Sequence, residues 1–339
     1  MRFGPQSLFG PVDDVAGQDG HTDHPPRVGF FTDTSVCIGC KACEVACKEW
    51  NDVPADGFNL LGMSMDNTGM LGADTWRHVA FIEQPRRLGH QDAGLADLPV
   101  GPSSTSYAAG VVADQLGQTE RGGAELGTSA WAPEPSEVGV PPDEGGAARM
   151  DFRWLMMSDV CKHCTHAGCL DVCPTGALFR TEFGTVVVQQ DICNGCGYCV
   201  SGCPFGVIDR REDDGRAHKC TLCYDRLRDG LEPACAKACP TDSIQFGPLD
   251  ELRTRARARV DGLHQAGVPE ARLYGADPDD GIGGAGAFFL LLDEPPVYGL
   301  PQDPVVPSRD LGRMWRVAGV AAAALVTAAV GVFVEGRPR

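Results

Sequence analysis

Sixteen cysteines carry the chemistry of this 339-residue chain, and they fall into four groups of four with none left over. The first is Cys37, Cys40, Cys43 and Cys47, spaced C-x2-C-x2-C-x3-C. The second is Cys161, Cys164, Cys169 and Cys173, spaced C-x2-C-x4-C-x3-C. Cys193, Cys196, Cys199 and Cys203 repeat the first spacing and are followed by Pro204. The fourth group is Cys220, Cys223, Cys235 and Cys239, spaced C-x2-C-x11-C-x3-C. Thiolates are soft anionic ligands, and sets this dense point to metal chemistry.

The first and third spacings are those by which bacterial-type ferredoxins hold cubane clusters. Three closely spaced thiolates wrap three irons of one cube, and the fourth, displaced by three residues, is expected to point away and ligate a neighbouring cube. Each cube needs four ligands, so sixteen cysteines supply four [4Fe-4S] clusters with no spare. Zinc also takes paired C-x2-C units but separates its pairs widely, and three thiols within seven residues are poor zinc geometry. Disulfide frameworks belong to small secreted domains, not to clustered cysteines in a long chain. His163 and His166 sit inside the second motif, whose thiolates are already complete. They are read as supporting or surface residues that could hydrogen-bond to sulfur.

All five lysines, Lys41, Lys48, Lys162, Lys219 and Lys237, lie within two residues of a motif cysteine, in a chain that otherwise uses arginine. An ammonium beside a reduced, anionic cluster would stabilise the added electron and raise the potential. The expectation is that these lysines tune the clusters.

The elements that must position these loops are short. Gly29 to Val36 reads as a strand feeding the first cysteine loop, with Phe30 and Phe31 in the core, and His78 to Glu83 as a second strand. From Gln84 to Ala148 the composition turns to Gly, Ser, Pro, Asp and Glu without cysteine, which reads as an irregular insertion. Glu251 to Gln265 reads as an amphipathic helix, with Leu252, Ala256, Val260 and Leu263 at near-helical spacing. Its Arg253, Arg255, Arg257 and Arg259 alternate and so do not share a helix face. The formal charge of −17 argues against a nucleic-acid patch. Gly281, Gly283 and Gly286 satisfy G-x-G-x-x-G, but no strand precedes them, and Ala287 to Leu292, which follows, reads as a strand rather than a helix. A nucleotide site is therefore not expected. No nucleophile–base pair or carboxylate pair stands out, so no substrate-transforming site is expected.

Met1 to Arg27 has no apolar core and no adjacent arginine pair, and is not read as a signal peptide. Val317 to Val334 is an uncharged run of 18 residues, about 27 Å as a helix and enough to cross a bilayer core. Trp315, Arg313 and Arg316 flank it on one side and Glu335, Arg337 and Arg339 on the other. Gly319 and Ala323 give it a small-residue face suited to another membrane helix.

The segments CIGCKACEVACKEWND (37 to 52), CGYCVSGCPF (196 to 205), KCTLCYDR (219 to 226) and EPACAKACPT (232 to 241) resemble the iron–sulfur (beta) subunit of respiratory formate dehydrogenases. Leu273–Tyr274–Gly275, Tyr298–Gly299–Leu300–Pro301 and the C-terminal apolar helix fit as well. The insertion and the N-terminal extension depart from that family. The resemblance implies an α+β chain of two ferredoxin-like dicluster subdomains with long loops, plus a single C-terminal transmembrane helix. It also implies shared ligation: Cys37, Cys40, Cys43 and Cys239 on the first cluster, and Cys47, Cys220, Cys223 and Cys235 on the second. Cys161, Cys164, Cys169 and Cys203 would hold the third, and Cys173, Cys193, Cys196 and Cys199 the fourth.

The domain boundaries that follow are an extension at 1–27, a first subdomain from 28–83 and 204–250, and an insertion at 84–150. A second subdomain spans 151–203, a covering segment 251–310, and the membrane helix and tail 311–339. The partners implied are a molybdenum or tungsten pterin catalytic subunit, a quinone-reducing membrane subunit and the lipid bilayer. The chain would be single-pass in the cytoplasmic membrane, and the family's habit favours the outer face. Four-cluster subunits of membrane hydrogenases and of other pterin oxidoreductases share the cysteine spacing, and a protein with metal-stabilised loops would carry zinc instead.

Overall fold

The computed structural model describes residues 14–57, 65–66, 68–84, 153–306, 308 and 311–335. The expected insertion, apart from Gln84, lies outside the described residues, as does the N-terminal extension up to residue 13.

Strand β1, Val28–Asp33, buries Phe30 and Phe31 completely. The strand expected to reach Val36 stops at Asp33. The Asp33 carboxylate accepts the Ser35 N–H at 2.9 Å and folds Thr34–Val36 into a 3-10 turn that delivers Cys37. The helix Ala42–Asn51 then carries Cys43 and Cys47. Strand β2, Arg77–Gln84, pairs antiparallel with β3, Arg153–Val160, over its whole length, from Arg77 opposite Val160 to Gln84 opposite Arg153. The strand expected at His78 to Glu83 is thus present and one residue longer at each end.

Two small hairpins follow in the region of the second and third motifs: β4, Leu178–Arg180, with β5, Val186–Val188, and β6, Asp209–Arg210, with β7, Ala217–His218. After the fourth motif, β8, Ile244–Pro248, runs into the helix Leu249–Gln265. That helix starts two residues before the expected boundary, and Asp250 and Glu251 in its first turn suit the positive end of the dipole. Leu252, Ala256 and Leu263 are buried along one stripe. Three of its four arginines, Arg253, Arg255 and Arg259, have partners within the chain. Arg259 reaches the Asp33 carboxylate at 2.9 Å and the Ser35 hydroxyl at 3.0 Å, and Arg255 the Gln245 side chain at 2.7 Å.

Strands β9, Arg272–Tyr274, and β10, Ala287–Leu291, complete a four-stranded sheet ordered β8-β1-β10-β9. Only the β1–β10 pair is parallel, with Phe30 opposite Ala287 and Asp33 opposite Leu290. Every residue of β10 is fully buried, as an uninterrupted apolar strand covered on both faces should be. Phe288 stacks on Phe31 with ring centroids 5.4 Å apart. This sheet is the platform from which the first and fourth motifs project: β1 leads into Cys37, and β8 leaves from Cys239.

Helix Leu311–Glu335 closes the described chain. Its stretch Arg313–Val332 has a mean hydropathy of 1.7 and no buried residue, so it is long and apolar enough to cross a membrane. Its one hydroxyl, on Thr327, donates to the Ala323 carbonyl oxygen at 2.8 Å and brings no unpaired polar group.

Replacing Phe288 with Ala should cost about 3–5 kcal/mol of stability, read as a lower urea-unfolding midpoint. Leu231→Ala at an exposed site should stay within about 0.5 kcal/mol.

Candidate functional site

The cysteines gather into four sets that cut across the sequence motifs. Cys37, Cys40, Cys43 and Cys239 line one cavity with Ser158 and Ser243. Cys161, Cys164, Cys169 and Cys203 line a second, with Lys162, His163 and Lys219. Cys47 feels the charges of Cys220, Cys235 and Cys223, and the Asn51 amide lies 3.7 Å from the Cys47 sulfur and 3.8 Å from that of Cys223. Cys199 feels Cys193, Cys173 and Cys196.

The local reason is helical geometry. Cys43 and Cys47 stand one turn apart on the same helix, both buried. The fourth thiol of the motif was expected to point away from the first three. It stands one turn beyond Cys43, about 6 Å further along the axis, beside Cys220, Cys235 and Cys223 of the fourth motif.

The sets follow one another in a row. Cys43 of the first feels Cys235 of the second, Cys220 of the second feels Cys161 of the third, and Cys169 of the third feels Cys199 of the fourth. All four thiols of the second set are buried, whereas the first and fourth sets each hold an exposed one, Cys40 and Cys196. Burial pushes the thiols of Cys43, Cys169 and Cys220 up to about 12 and that of Cys199 to about 11, with neighbouring thiolates adding to the rise at each. Opposing it are Arg77 and the Ser158 hydroxyl at Cys43, and Lys219 at Cys169 and Cys220. Burial also raises Cys173, but backbone hydrogen bonds from Leu178, Thr175 and Ala177 with the Thr175 hydroxyl outweigh it and hold that thiol below its ordinary value. Thiols kept this dry become ligands when a cationic centre takes their protons' place.

The donor sets fit cubane clusters. Among the described residues, no three His, Cys, Asp or Glu side chains close in as they would on a single ion. A cubane instead presents one iron to each thiolate and needs them spread around it. His163 supports the fit. It is buried, its Nδ1 accepts the Val186 N–H at 3.1 Å, and the remaining ring nitrogen, Nε2, therefore carries the proton. That Nε2 has no partner among the described residues, and His163 lines the cavity of Cys161, Cys164, Cys169 and Cys203. Of the two expected positions, surface or support, His163 takes the second.

The lysines divide sharply. Lys41 pairs with Glu44 at 3.4 Å, Lys48 with Asp56 at 3.0 Å, Lys162 with Asp159, and the exposed Lys237 with Glu232 at 3.6 Å. Lys219 is 2% exposed and, among the described residues, meets only carbonyl oxygens, those of Val186 and of Cys220 at 2.8 Å. Sequence reasoning missed Arg77 and Ser158, which lie between the first two sets. No motif contains either, and only the β2–β3 pairing brings them together.

Gly283 and Gly286 of the G-x-G-x-x-G pattern serve packing against the second motif. A Cβ at Gly283, whose φ is +72°, would overlap the His166 ring, and one at Gly286 would come within 3.0 Å of the His163 carbonyl oxygen. Gly283→Ala should cost about 1–3 kcal/mol through overpacking and lower the iron content. Gly262→Ala, open on all sides in its helix, should gain about 0.4–1 kcal/mol, both read by urea unfolding.

Comparison with known proteins points to the same class of cofactor. Residues 36–177 and 152–249 each match a 4Fe-4S dicluster domain. The formate dehydrogenase iron–sulfur subunit of Haemophilus influenzae is 34% identical over 93% of this chain and 83% of its own length. The chain belongs to the family of formate dehydrogenase iron–sulfur subunits. The nitrate-inducible formate dehydrogenase iron–sulfur subunit of Escherichia coli is 33% identical over 84% of this chain and 76% of its own. The B subunit of the anaerobic dimethyl sulfoxide reductase of Escherichia coli is 30% identical over 68% of this chain and 77% of its own. An iron–sulfur subunit of this kind works in electron transport within an oxidoreductase complex, binds [4Fe-4S] clusters, and here carries one candidate membrane helix.

Proposed function

We propose that this chain is the electron-transfer subunit of a membrane-bound formate dehydrogenase. It would receive electrons from a molybdenum or tungsten pterin catalytic subunit and deliver them to a quinone-reducing membrane subunit. The observation that carries this reading is the row of four thiol sets, with exposed cysteines only at its two ends and a wholly buried set within it. Such a row conducts between two partners and shields the interior sites from water.

In this reading Cys37, Cys40, Cys43 and Cys239 hold one [4Fe-4S] cluster and Cys47, Cys220, Cys223 and Cys235 the next. Cys161, Cys164, Cys169 and Cys203 hold the third, and Cys173, Cys193, Cys196 and Cys199 the fourth. Bound clusters supply one-electron carriers, and the chain supplies their spacing, dryness and electrostatic surroundings. The outer motifs, first and fourth, form one ferredoxin-like dicluster subdomain, and the inner motifs form the other. Lys41, Lys48, Lys162, Lys219 and Lys237 tune the clusters unequally. Lys219 acts most strongly, since it is buried without a carboxylate, and Lys237 least, since it is exposed and paired. Helix Leu311–Glu335 anchors the subunit, its small residues facing a helix of the membrane partner.

Anaerobic EPR of the detergent-solubilised complex tests the donor. Formate alone should produce reduced-cluster signals within the mixing time. Signals that appear with hydrogen and not with formate would assign the subunit to a hydrogenase. Clusters that neither reduces, but that dimethyl sulfoxide reoxidises after dithionite reduction, would assign it to a sulfoxide reductase.

A further inference from the structure

Arg77 belongs to no cysteine motif, yet at 1% exposure it is among the largest buried side chains of the described residues. Its guanidinium lies 4.9 Å from the centre of the Phe30 ring. One terminal nitrogen donates to the Ser158 carbonyl oxygen at 3.1 Å and to the Ser158 hydroxyl at 3.3 Å. The other lies 3.2 Å from the Cys235 sulfur, and Nε has no partner among the described residues. That same Ser158 hydroxyl is 3.2 Å from the sulfur of Cys43. Cys43 belongs to the first thiol set and Cys235 to the second, so the guanidinium fills the gap between them.

Arg153 meets Asp293 and Arg259 meets Asp33, whereas Arg180 and Arg27 meet backbone carbonyl oxygens and the Thr165 hydroxyl. Arg77 meets no carboxylate among the described residues. A guanidinium keeps its proton in proteins, and a buried charge without a counter-charge is strongly destabilising. The counter-charge available to it is the thiolates on either side. A reduced [4Fe-4S] cluster carries one more negative charge than an oxidised one. A fixed cation against the ligands of two such clusters therefore favours the reduced form of both.

We propose that Arg77 is a positioning residue for electron transfer, its permanent charge raising the reduction potentials of the first and second clusters together. Electrons entering at the first are thereby held more readily on this pair. Each couple takes up one electron, and Arg77 exchanges no proton. This rests on the ligand sets proposed above. Lys41, Lys48, Lys162 and Lys237 each face a carboxylate that offsets their charge, and among the described residues Arg77 is the arginine whose guanidinium donates to a thiol sulfur.

The test is an EPR-monitored redox titration of the solubilised complex, with iron and acid-labile sulfide measured on the same samples, for wild type, Arg77→Met and Arg77→Lys. Wild-type contents short of four clusters per chain would overturn the ligand reading itself, before any variant is considered. With contents intact, Arg77→Met should move two of the four midpoints downward and leave two in place. At a fixed poise the reduced-to-oxidised ratio of each affected cluster should fall at least tenfold, equivalent to about 59 mV for a one-electron couple. Arg77→Lys, which keeps the charge, should hold all four near wild type. Four unmoved midpoints in Arg77→Met, or four that fall together, would overturn the proposal. Should Arg77→Met lose its clusters, Arg77→Lys decides. Wild-type content and midpoints there support a role for charge. Loss there too overturns the proposal, since the shape of the guanidinium and not its charge would then be the requirement.

Discussion

Ionised sulfur is costly to bury, and this chain leaves only two of its sixteen cysteines exposed. Away from water each thiol prefers its proton, and every neighbouring thiolate strengthens that preference. A cationic iron core reverses it, but only if the ligands arrive together and the surroundings tolerate the charge that remains. Much of the structure answers that demand. The cysteine loops are short and held at both ends by strands or helices, so the thiols converge without long segments to order. The polar groups beside them, such as the Ser158 and Thr175 hydroxyls and the Asn51 amide, are donors aimed at sulfur.

The same demand explains the buried cations. Arg77 and Lys219 would be poor core residues anywhere else, since neither meets a carboxylate among the described residues. Beside anionic clusters each has a counter-charge and in turn makes the thiolates easier to hold. Two opposite charges that are each unfavourable alone become acceptable as a unit. Their positions matter as much as their presence. Arg77 touches Cys235 of the second set and reaches Cys43 of the first through the Ser158 hydroxyl, and Lys219 acts on Cys220 of the second and Cys169 of the third. The fourth set, with the exposed Cys196, has water instead.

The chemistry is more legible in the sequence than the scaffold. Cysteine spacing is local, so it announces its ligand class directly, and the uncharged C-terminal run announces its helix through its length. The strand at His78 to Glu83 and the apolar run at Ala287 to Leu292 also declare themselves through residue type. What spacing does not reveal is which distant segments meet. The parallel pairing of β1 with β10 joins residues more than 250 positions apart, and nothing in either strand names the other. Arg77 stays hidden for the same reason, as one arginine among two dozen until β3 sets Ser158 beside it. The direction of Cys47 eludes a reading of the motif as a loop, because the helix Ala42–Asn51 keeps both thiols on one face.

The central claim is that the thiols work in sets that cross the sequence motifs, so that a row of sites arises from one chain. Iron content per chain across cysteine variants tests it most directly. Cys47→Ala and Cys235→Ala, from different motifs but one set, should each cost about a quarter of the iron, and the double variant no more than either. Cys47→Ala combined with Cys239→Ala, from two sets, should cost about half. Losses that add for Cys47 and Cys235 would contradict the account and return the ligands to their separate motifs.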